Sequence, residues 1–381
     1  MLKKTFKYRL YPTAKQKKAL QASLDACRWT YNETLAARQK AWQEEQKSLS
    51  LYDTHSFLSQ WKKDKPDLTN AFSQCLQNAQ LRVDLAFKAF FRRVKAGENP
   101  GYPRFRGFNR YDSFTFPQSG FNLLEDKLKI SKIGSVRIVK HRDIEGTIKT
   151  LTIRRANDKW YACFSCEIEP EPLPASDKVV GLDVGLASFA TFSTGEKIDN
   201  PRFFKTDEKK LAKAQRRLSK ADKGTPDRKK QHKKVSRIHE KISNKRSDFA
   251  HKLSRKIVNR YQVIALEKLD VKSMMSNQTK VFGHKLNKSI GDVAWNQFTQ
   301  FITYKAACAG RTIVFVNPRN TSKMCSRCRQ IVEKTLADRV HRCSCGLVLD
   351  RDHNAAINIL ALGIKSLGED FSLQSVEATG L

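Results

Sequence analysis

Val179-Val180-Gly181-Leu182-Asp183-Val184-Gly185 is the stretch that decides the fold of this 381-residue chain. The run before its aspartate is apolar and β-branched, the pattern of a central strand covered on both faces. Such a strand delivers one carboxylate, Asp183. The flanking Gly181 and Gly185 carry no side chain, so close approach of a nucleic-acid backbone or a metal is expected there. A GxDxG segment is also an ordinary strand end. Its meaning depends on partner carboxylates and on a substrate.

The substrate class is written in the charge. Seventy-two Lys and Arg face 38 Asp and Glu, leaving +34. An excess of that size opposes compaction unless a polyanion neutralises it. Nucleic acid fits, because Lys and Arg contacts to phosphate gain from counterion release. A membrane surface is the weaker alternative, since no apolar run approaches the ~18 residues of a spanning helix. The N-terminal MLKKTFKYRLYP has no apolar signal core, so secretion is not expected and a cytoplasmic, nucleoid-associated prokaryotic protein is. Nine cysteines, several in close pairs, suit a reducing compartment and metal binding better than a disulfide framework.

Downstream of Gly185 the pattern alternates strands and helices, an α/β arrangement. A hairpin partner is expected at Ala187–Phe192, then helices over Asp207–Ala221 and Pro226–Tyr261, and a second apolar strand over Tyr261–Leu266. A helix near Val293–Ala309, a strand over Arg311–Val316 and a last helix from Arg351 to about Leu362 complete the pattern. Residues 205–260 hold 21 Lys and Arg against six Asp and Glu. An apolar stripe runs through Leu211, Ala214 and Leu218, then Val235, Ile238, Ile242, Phe249, Leu253 and Ile257. One face is therefore expected to pack and the other to track phosphate, since solvated surface helices usually mix both signs.

Upstream, Phe6, Tyr8 and Leu10 alternate with Lys7 and Arg9, which reads as an exposed-edge strand over residues 3–11. Pro12 ends it, and Thr13 with Gln16 carries a capping-box signature for a long helix. Helical spacing returns near Thr54–Lys62 and from Phe72 to Val94. After Gly97 the basic, turn-rich NPGYPRFRGF opens an all-β stretch with strands over Ser113–Pro117, Lys127–Ile130, Ser135–Val139, Ile148–Arg154 and Trp160–Ile168. If strand 3–11 joins that sheet, the helical block is an insertion into a β-barrel. The Pro-rich, acidic EPEPLPASDK then reads as a linker.

Two sets of residues carry chemistry. Cys325-x2-Cys328 and Cys343-x-Cys345 have the spacing of a zinc ribbon, and four thiolates suit tetrahedral, structural Zn2+. The second pair is one residue short, and Arg329 follows Cys328 where a knuckle often has glycine. Cys163 and Cys166 also read CxxC, but on a strand they face opposite ways. With Cys27, Cys75 and Cys308 they are assigned to packing. The second set is acidic. The strand VIALEKL ends in Glu267 and mirrors the strand that ends at Asp183, so adjacent parallel strands bring the two carboxylates to one edge. The helix start LDRDHN offers Asp350 or Asp352 as a third. Converging carboxylates repel unless a divalent cation neutralises them, and hard oxygen ligands select Mg2+ or Mn2+. Two such ions serve phosphodiester hydrolysis. Taken singly, each acid also has a plain reading as a strand end, turn or cap, and His353 reads as structural.

GLDVG, NKRSDFAHKLS, ALEKLDV, TSKMCSRC and CSCGLVLDRDHNAAINIL, in that order, resemble TnpB, the transposon-encoded relatives of type V CRISPR effector nucleases. YRLYPTAKQKKAL, CRWTYN and GYPRFR resemble the same family, so the likeness covers about residues 3–365. The resemblance implies an RNase H-like RuvC nuclease domain (178–320 and 347–368) with an inserted zinc ribbon (321–346). It implies a β-barrel wedge domain (1–12 and 97–174) carrying a helical recognition insertion (13–96), with 369–381 a flexible tail. It implies guide-RNA-directed cleavage of double-stranded DNA, the guide coming from the transposon end and the protein reading a short motif beside the target. Residue by residue it assigns Asp183, Glu267 and Asp352 as catalytic, with Asp350 the less favoured third acid. Gln77 becomes a base contact, and Arg104, Arg106, Lys245 and Arg246 become nucleic-acid contacts. The polar MMSNQTKVFGHKLNKSIG is expected to be a mobile lid near the catalytic edge. A cleavage-deficient RNA-guided repressor and a strand-joining transposase are the alternatives; intact acids argue against the first, and an RNA requirement would argue against the second.

Overall fold

A computed structural model describes residues 1–368 other than 109, 277–282 and 336. It divides into two units, Met1–Glu169 and Pro170–Leu381. The division falls at the start of the expected linker.

In the first unit, strand β1 (Leu2–Tyr11) leads into helix α1 (Ala14–Glu45). The capping box is complete, with Thr13 accepting from the Gln16 amide and Gln16 answering the Thr13 amide. Gln46, at φ 54° in the left-handed region, ends the helix. Helices α2 (Leu51–Asp64) and α3 (Ser73–Lys95) follow. The β stretch then supplies β2 (Ser113–Phe116), β3 (Phe121–Leu123), β4 (Lys127–Ile130), β5 (Gly134–Val139), β6 (Thr147–Ala156) and β7 (Lys159–Ile168).

These strands form one seven-stranded sheet in the order β2-β6-β7-β1-β5-β4-β3. Strand β1 lies in its middle, paired antiparallel with β7 and β5. The exposed-edge reading is therefore corrected. The Lys/Arg alternation marks the wet face of an antiparallel sheet, not a free edge. The two end strands bring Phe116 and Phe121 within 6.3 Å, ring centre to ring centre, so the sheet curls nearly closed like a barrel. Cys166 lies in its core while Cys163 sits half-buried on the other face; Cys27 and Cys75 are buried.

The second unit is built on β8 (Val179–Val184), β9 (Ser188–Phe192), β10 (Lys197–Asp199), β11 (Val263–Glu267) and β12 (Thr312–Val316). Their order is β10-β9-β8-β11-β12. Strands β8, β9 and β10 are antiparallel, while β11 runs parallel to β8 and to β12. Between β10 and β11 come the basic helices α4 (Phe203–Lys220) and α5 (Pro226–Arg260). Helices α6 (Val271–Ser276), α7 (Gly283–Val293) and α8 (Trp295–Ala309) lead from β11 to β12. The hairpin β13 (Val340–Arg342) and β14 (Val348–Asp350) precedes the last helix, α9 (Arg351–Ser366).

Both faces of this sheet are covered, as the apolar runs require. Val180, Leu182, Ile264 and Leu266 pack with Leu253 and Ile257 of α5 and Phe298 and Ile302 of α8. Val179, Val263 and Ala265 pack with Ile359 and Leu360 of α9. Alternation along each strand then puts Asp183 and Glu267 on the α9 face. The reason for Gly181 differs from the one expected. A Cβ there would meet the Ala356 carbonyl oxygen at 2.2 Å and the Leu360 nitrogen at 2.6 Å, so the glycine admits α9, not a nucleic acid or metal. At Gly185 the close neighbour of a Cβ is the Ser188 carbonyl oxygen, 3.1 Å away, within the β8–β9 turn.

Four further expectations can be set beside the structure. The supposed lid is partly helical, since α6 and α7 flank residues 277–282, which lie outside the described residues. The tail, 369–381, lies outside them as well. The β13–β14 hairpin runs from Val340 to Asp350, across residue 346, where the ribbon was expected to end. Cys308, assigned to the core, is only half-buried.

Candidate active site and cysteine cluster

Register places the first two acids. Leu266 pairs with Leu182 across the parallel β8–β11 ladder, and Glu267 and Asp183 are the next residues on each strand. Helix α9 crosses the same face. It starts at Arg351, and its first turn carries Asp352. The Glu267 and Asp352 carboxylates are close enough to act on Asp183. Burial pushes the Asp183 carboxyl well above the ordinary aspartate range, the Glu267 and Asp352 charges push it further, and Arg351 offsets part of the rise. Burial also raises Glu267, against a hydrogen bond from Thr321 that favours the ionised form.

Asp350 has other work. Its carboxylate caps α9, accepting from the amides of Asp352 and His353 at 3.1 Å each. It also pairs with Lys197 at 2.8 Å. Burial alone would raise its pKa, but Lys197 and the two amides hold it below the usual range. His353 is structural, its Nε2 3.0 Å from the Ser193 carbonyl oxygen.

The cysteines make a tighter group. The four Sγ atoms of Cys325, Cys328, Cys343 and Cys345 all lie within 4.8 Å of one another. Among the described residues this is the group of ligand-type side chains gathered closely enough to hold an ion as it stands. Each pair sits on a tight turn. Arg329, at φ 67°, takes the left-handed position that Gly346, at φ 85°, fills in the second turn. The Arg329 amide donates to the Cys325 carbonyl at 3.0 Å, and the Gly346 amide to the Cys343 carbonyl at 3.0 Å. An arginine in the glycine position is thus accommodated, and its Nη1 donates to Asn358 of α9 at 3.0 Å. The shortened second pair still brings Cys343 to 3.5 Å from Cys328, and Cys345 to 3.7 Å from Cys325.

The nucleic-acid candidates divide. Gln77 is exposed on α3, and Arg104 and Arg106 are exposed in the loop after it. The Arg106 backbone is tied to Asn32 by two hydrogen bonds, of 2.7 and 3.0 Å. Lys245 and Arg246 each already have an acidic partner. Arg246 holds Asp292 through Nη2 at 2.6 Å and Nε at 3.0 Å, and Lys245 pairs with Asp207 at 3.4 Å. These pairs tie α5 to α4 and α7. Exposed cations of the arm include Lys229, Lys230, Lys234 and Arg237, in the part of α5 before its first buried residue, Ile242.

Sequence reasoning missed Thr321, Lys197, Asn354 and Asn358. The Thr321 hydroxyl donates to Glu267 at 2.5 Å. Asn354 Nδ2 and Asn358 Nδ2 donate to the Met324 carbonyl at 2.8 and 2.7 Å, and the Ser326 amide donates to Asn354. None of these has a spacing signature; only the polarity of Asn354 and Asn358 within an apolar helix could have drawn attention.

Comparison with known proteins agrees with this architecture. The family described as "Probable transposase" matches residues 163–278, and one described as "Cas12f1-like, TNB domain" matches 295–359. A "Helix-turn-helix domain" matches 1–47, where the structure has β1 and one long helix. A Streptomyces pristinaespiralis protein named "Putative RNA-guided DNA endonuclease" is 35% identical over 373 residues, 95% of this chain and 90% of its own. A "TnpB-like protein" of Acanthamoeba polyphaga mimivirus is 30% identical over 228 residues, 57% of this chain and 44% of its own. Among solved structures, a Cas12f1–sgRNA–target DNA complex superposes with a TM-score of 0.58 at 14% identity, over 94% of this chain and 98% of that one. The two share a fold.

Proposed function

This chain belongs to the TnpB family, and from that premise we propose that it is an RNA-guided DNA endonuclease associated with a transposon. The observation that carries the reading is the β8–β11 register, which sets Asp183 beside Glu267 on the face crossed by the helix that bears Asp352. In this reading the sheet of the second unit is an RNase H-like, RuvC-type nuclease core, interrupted by a zinc ribbon. The barrel-like sheet of the first unit is the wedge, with α1–α3 as its recognition insertion.

The donor set suits divalent cations of the Mg2+ or Mn2+ kind. It is all carboxylate, and Asp183 resists ionisation because of burial and two neighbouring negative charges, a penalty that a cation removes. Bound by Asp183, Glu267 and Asp352, such ions supply activation of water and stabilisation of the leaving oxygen in phosphodiester hydrolysis. The chain's own contribution is positional. Adjacent strands fix two carboxylates, the α9 start fixes the third, and Asp350 with Lys197 fixes the helix start. The four cysteines suit structural Zn2+.

Charge supplies the partners. The arm of α4 and α5 offers Lys229, Lys230, Lys234 and Arg237 to phosphate, and Gln77 offers an amide to a base edge in the motif beside the target. The guide is RNA from the transposon end, and both partners place the work at the prokaryotic nucleoid. Among the described residues no helix is long and apolar enough to cross a membrane. The test is to purify the protein with its co-expressed RNA and add matching duplex DNA with Mg2+. Cutting that depends on the RNA is expected; cutting or strand joining that survives RNase treatment contradicts the proposal.

A further inference from the structure

Glu267 sits at the end of its strand, where the sheet alone does not fix a carboxylate rotamer. The structure supplies a second constraint from a distant part of the chain. The Thr321 hydroxyl lies 2.5 Å from Glu267 Oε1 and 3.1 Å from the Pro318 carbonyl oxygen. A hydroxyl has one proton, so the shorter contact to the carboxylate takes it. Thr321 is 3% exposed, so its hydroxyl has little access to water.

Thr321 is itself held. Asn358 of α9 donates through Nδ2 to the Thr321 carbonyl at 2.9 Å and to the Met324 carbonyl at 2.7 Å. Its Oδ1 accepts from Arg329 Nη1 at 3.0 Å. Asn358 is fully buried, and its bond to the Thr321 carbonyl is buried too, so leaving that amide unpaired is costly. The chain Glu267–Thr321–Asn358–Arg329 therefore joins the acidic edge to the turn that follows Cys328, through a helix whose first residues bear Asp352.

We propose that Thr321 is a positioning residue for the active site: it holds one oxygen of Glu267 so that the other is presented to the cation, and Asn358 fixes Thr321 to the cysteine ribbon. This rests on the assignment of Glu267 as a ligand. A carboxylate locked in one rotamer loses no further entropy on binding an ion, and partners of this kind are typically worth about 10- to 100-fold in metal affinity.

The test uses the full-length protein with its RNA and Mn2+ as the probe. Binding is followed by electron paramagnetic resonance, alongside the Mg2+ dependence of cutting and thermal melting. Thr321→Val, which keeps the shape and removes the hydroxyl, should weaken Mn2+ binding and raise the half-saturating Mg2+ by about tenfold or more. Thr321→Ser should restore both to within about threefold of the parent. Asn358→Ala should move the Mn2+ affinity in the same direction as Thr321→Val. Parental Mn2+ affinity in a folded Thr321→Val, or equal impairment of Val and Ser, would overturn the proposal. Asp183→Ala serves as the separate control. If that variant binds Mn2+ like the parent, the assignment of the site has failed instead.

Discussion

At the scale of single residues, Gly181 teaches the most. Its neighbour Asp183 invites a functional reading of the glycine, yet the space a Cβ would need is filled by α9 backbone. Gly181→Ala must push away the helix that carries Asp352, and overpacking of this kind costs about 1–3 kcal/mol. The variant should melt several degrees below the parent and cut more slowly at equal occupancy of RNA; an unchanged melting temperature contradicts the packing account. The strand-end places of Asp183 and Glu267 and the gathering of the four cysteines were readable because strand ends and cysteine spacing are local signals. Thr321 was not, because its partner lies 54 positions away and hydrogen bonding leaves no periodic trace. The pairing of Arg246 was hidden for a related reason. Its charge is visible in the sequence, but Asp292, which claims it, lies 46 positions away, beyond any helical spacing.

At the scale of elements, the apolar runs of β8 and β11 announced buried strands, and the capping box announced α1. Pairing was less legible. Strand β1 shows the alternation of a one-faced sheet whether it lies at the edge or the centre, and only its partners β5 and β7 decide. The α4–α5 arm divides into a packed part and a projecting one, because Val235 and Ile238 are only half-buried while full burial begins at Ile242. Lys229, Lys230, Lys234 and Arg237 are therefore predicted to meet phosphate. Replacing all four with glutamine should weaken nucleic-acid binding and flatten its dependence on salt, by about one unit of slope for each phosphate left without its cation. Titrations at several salt concentrations check this. A parallel shift with unchanged slope would assign the weaker binding to folding rather than to ion release.

At the scale of the whole molecule, each unit organises its sheet differently. The first curls an antiparallel sheet until its end strands meet through Phe116 and Phe121; the second buries a mixed sheet on both faces. Among the described residues the segment between β12 and α9 contributes few core residues, with Cys325 its main buried apolar member, so the proposed zinc ion is expected to hold it. One Zn2+ per chain is predicted by elemental analysis. Chelation or Cys328→Ser should remove the ion and lower the melting temperature, whereas metal-free protein with parental stability would contradict the ribbon assignment. The central claim concerns the acidic edge. The measurement that tests it most directly compares DNA cutting and DNA binding by the RNA complexes of the parent and Asp183→Ala in Mg2+. Loss of cutting with target binding within about threefold of the parent is predicted. Cutting at the parental rate by Asp183→Ala would contradict the account.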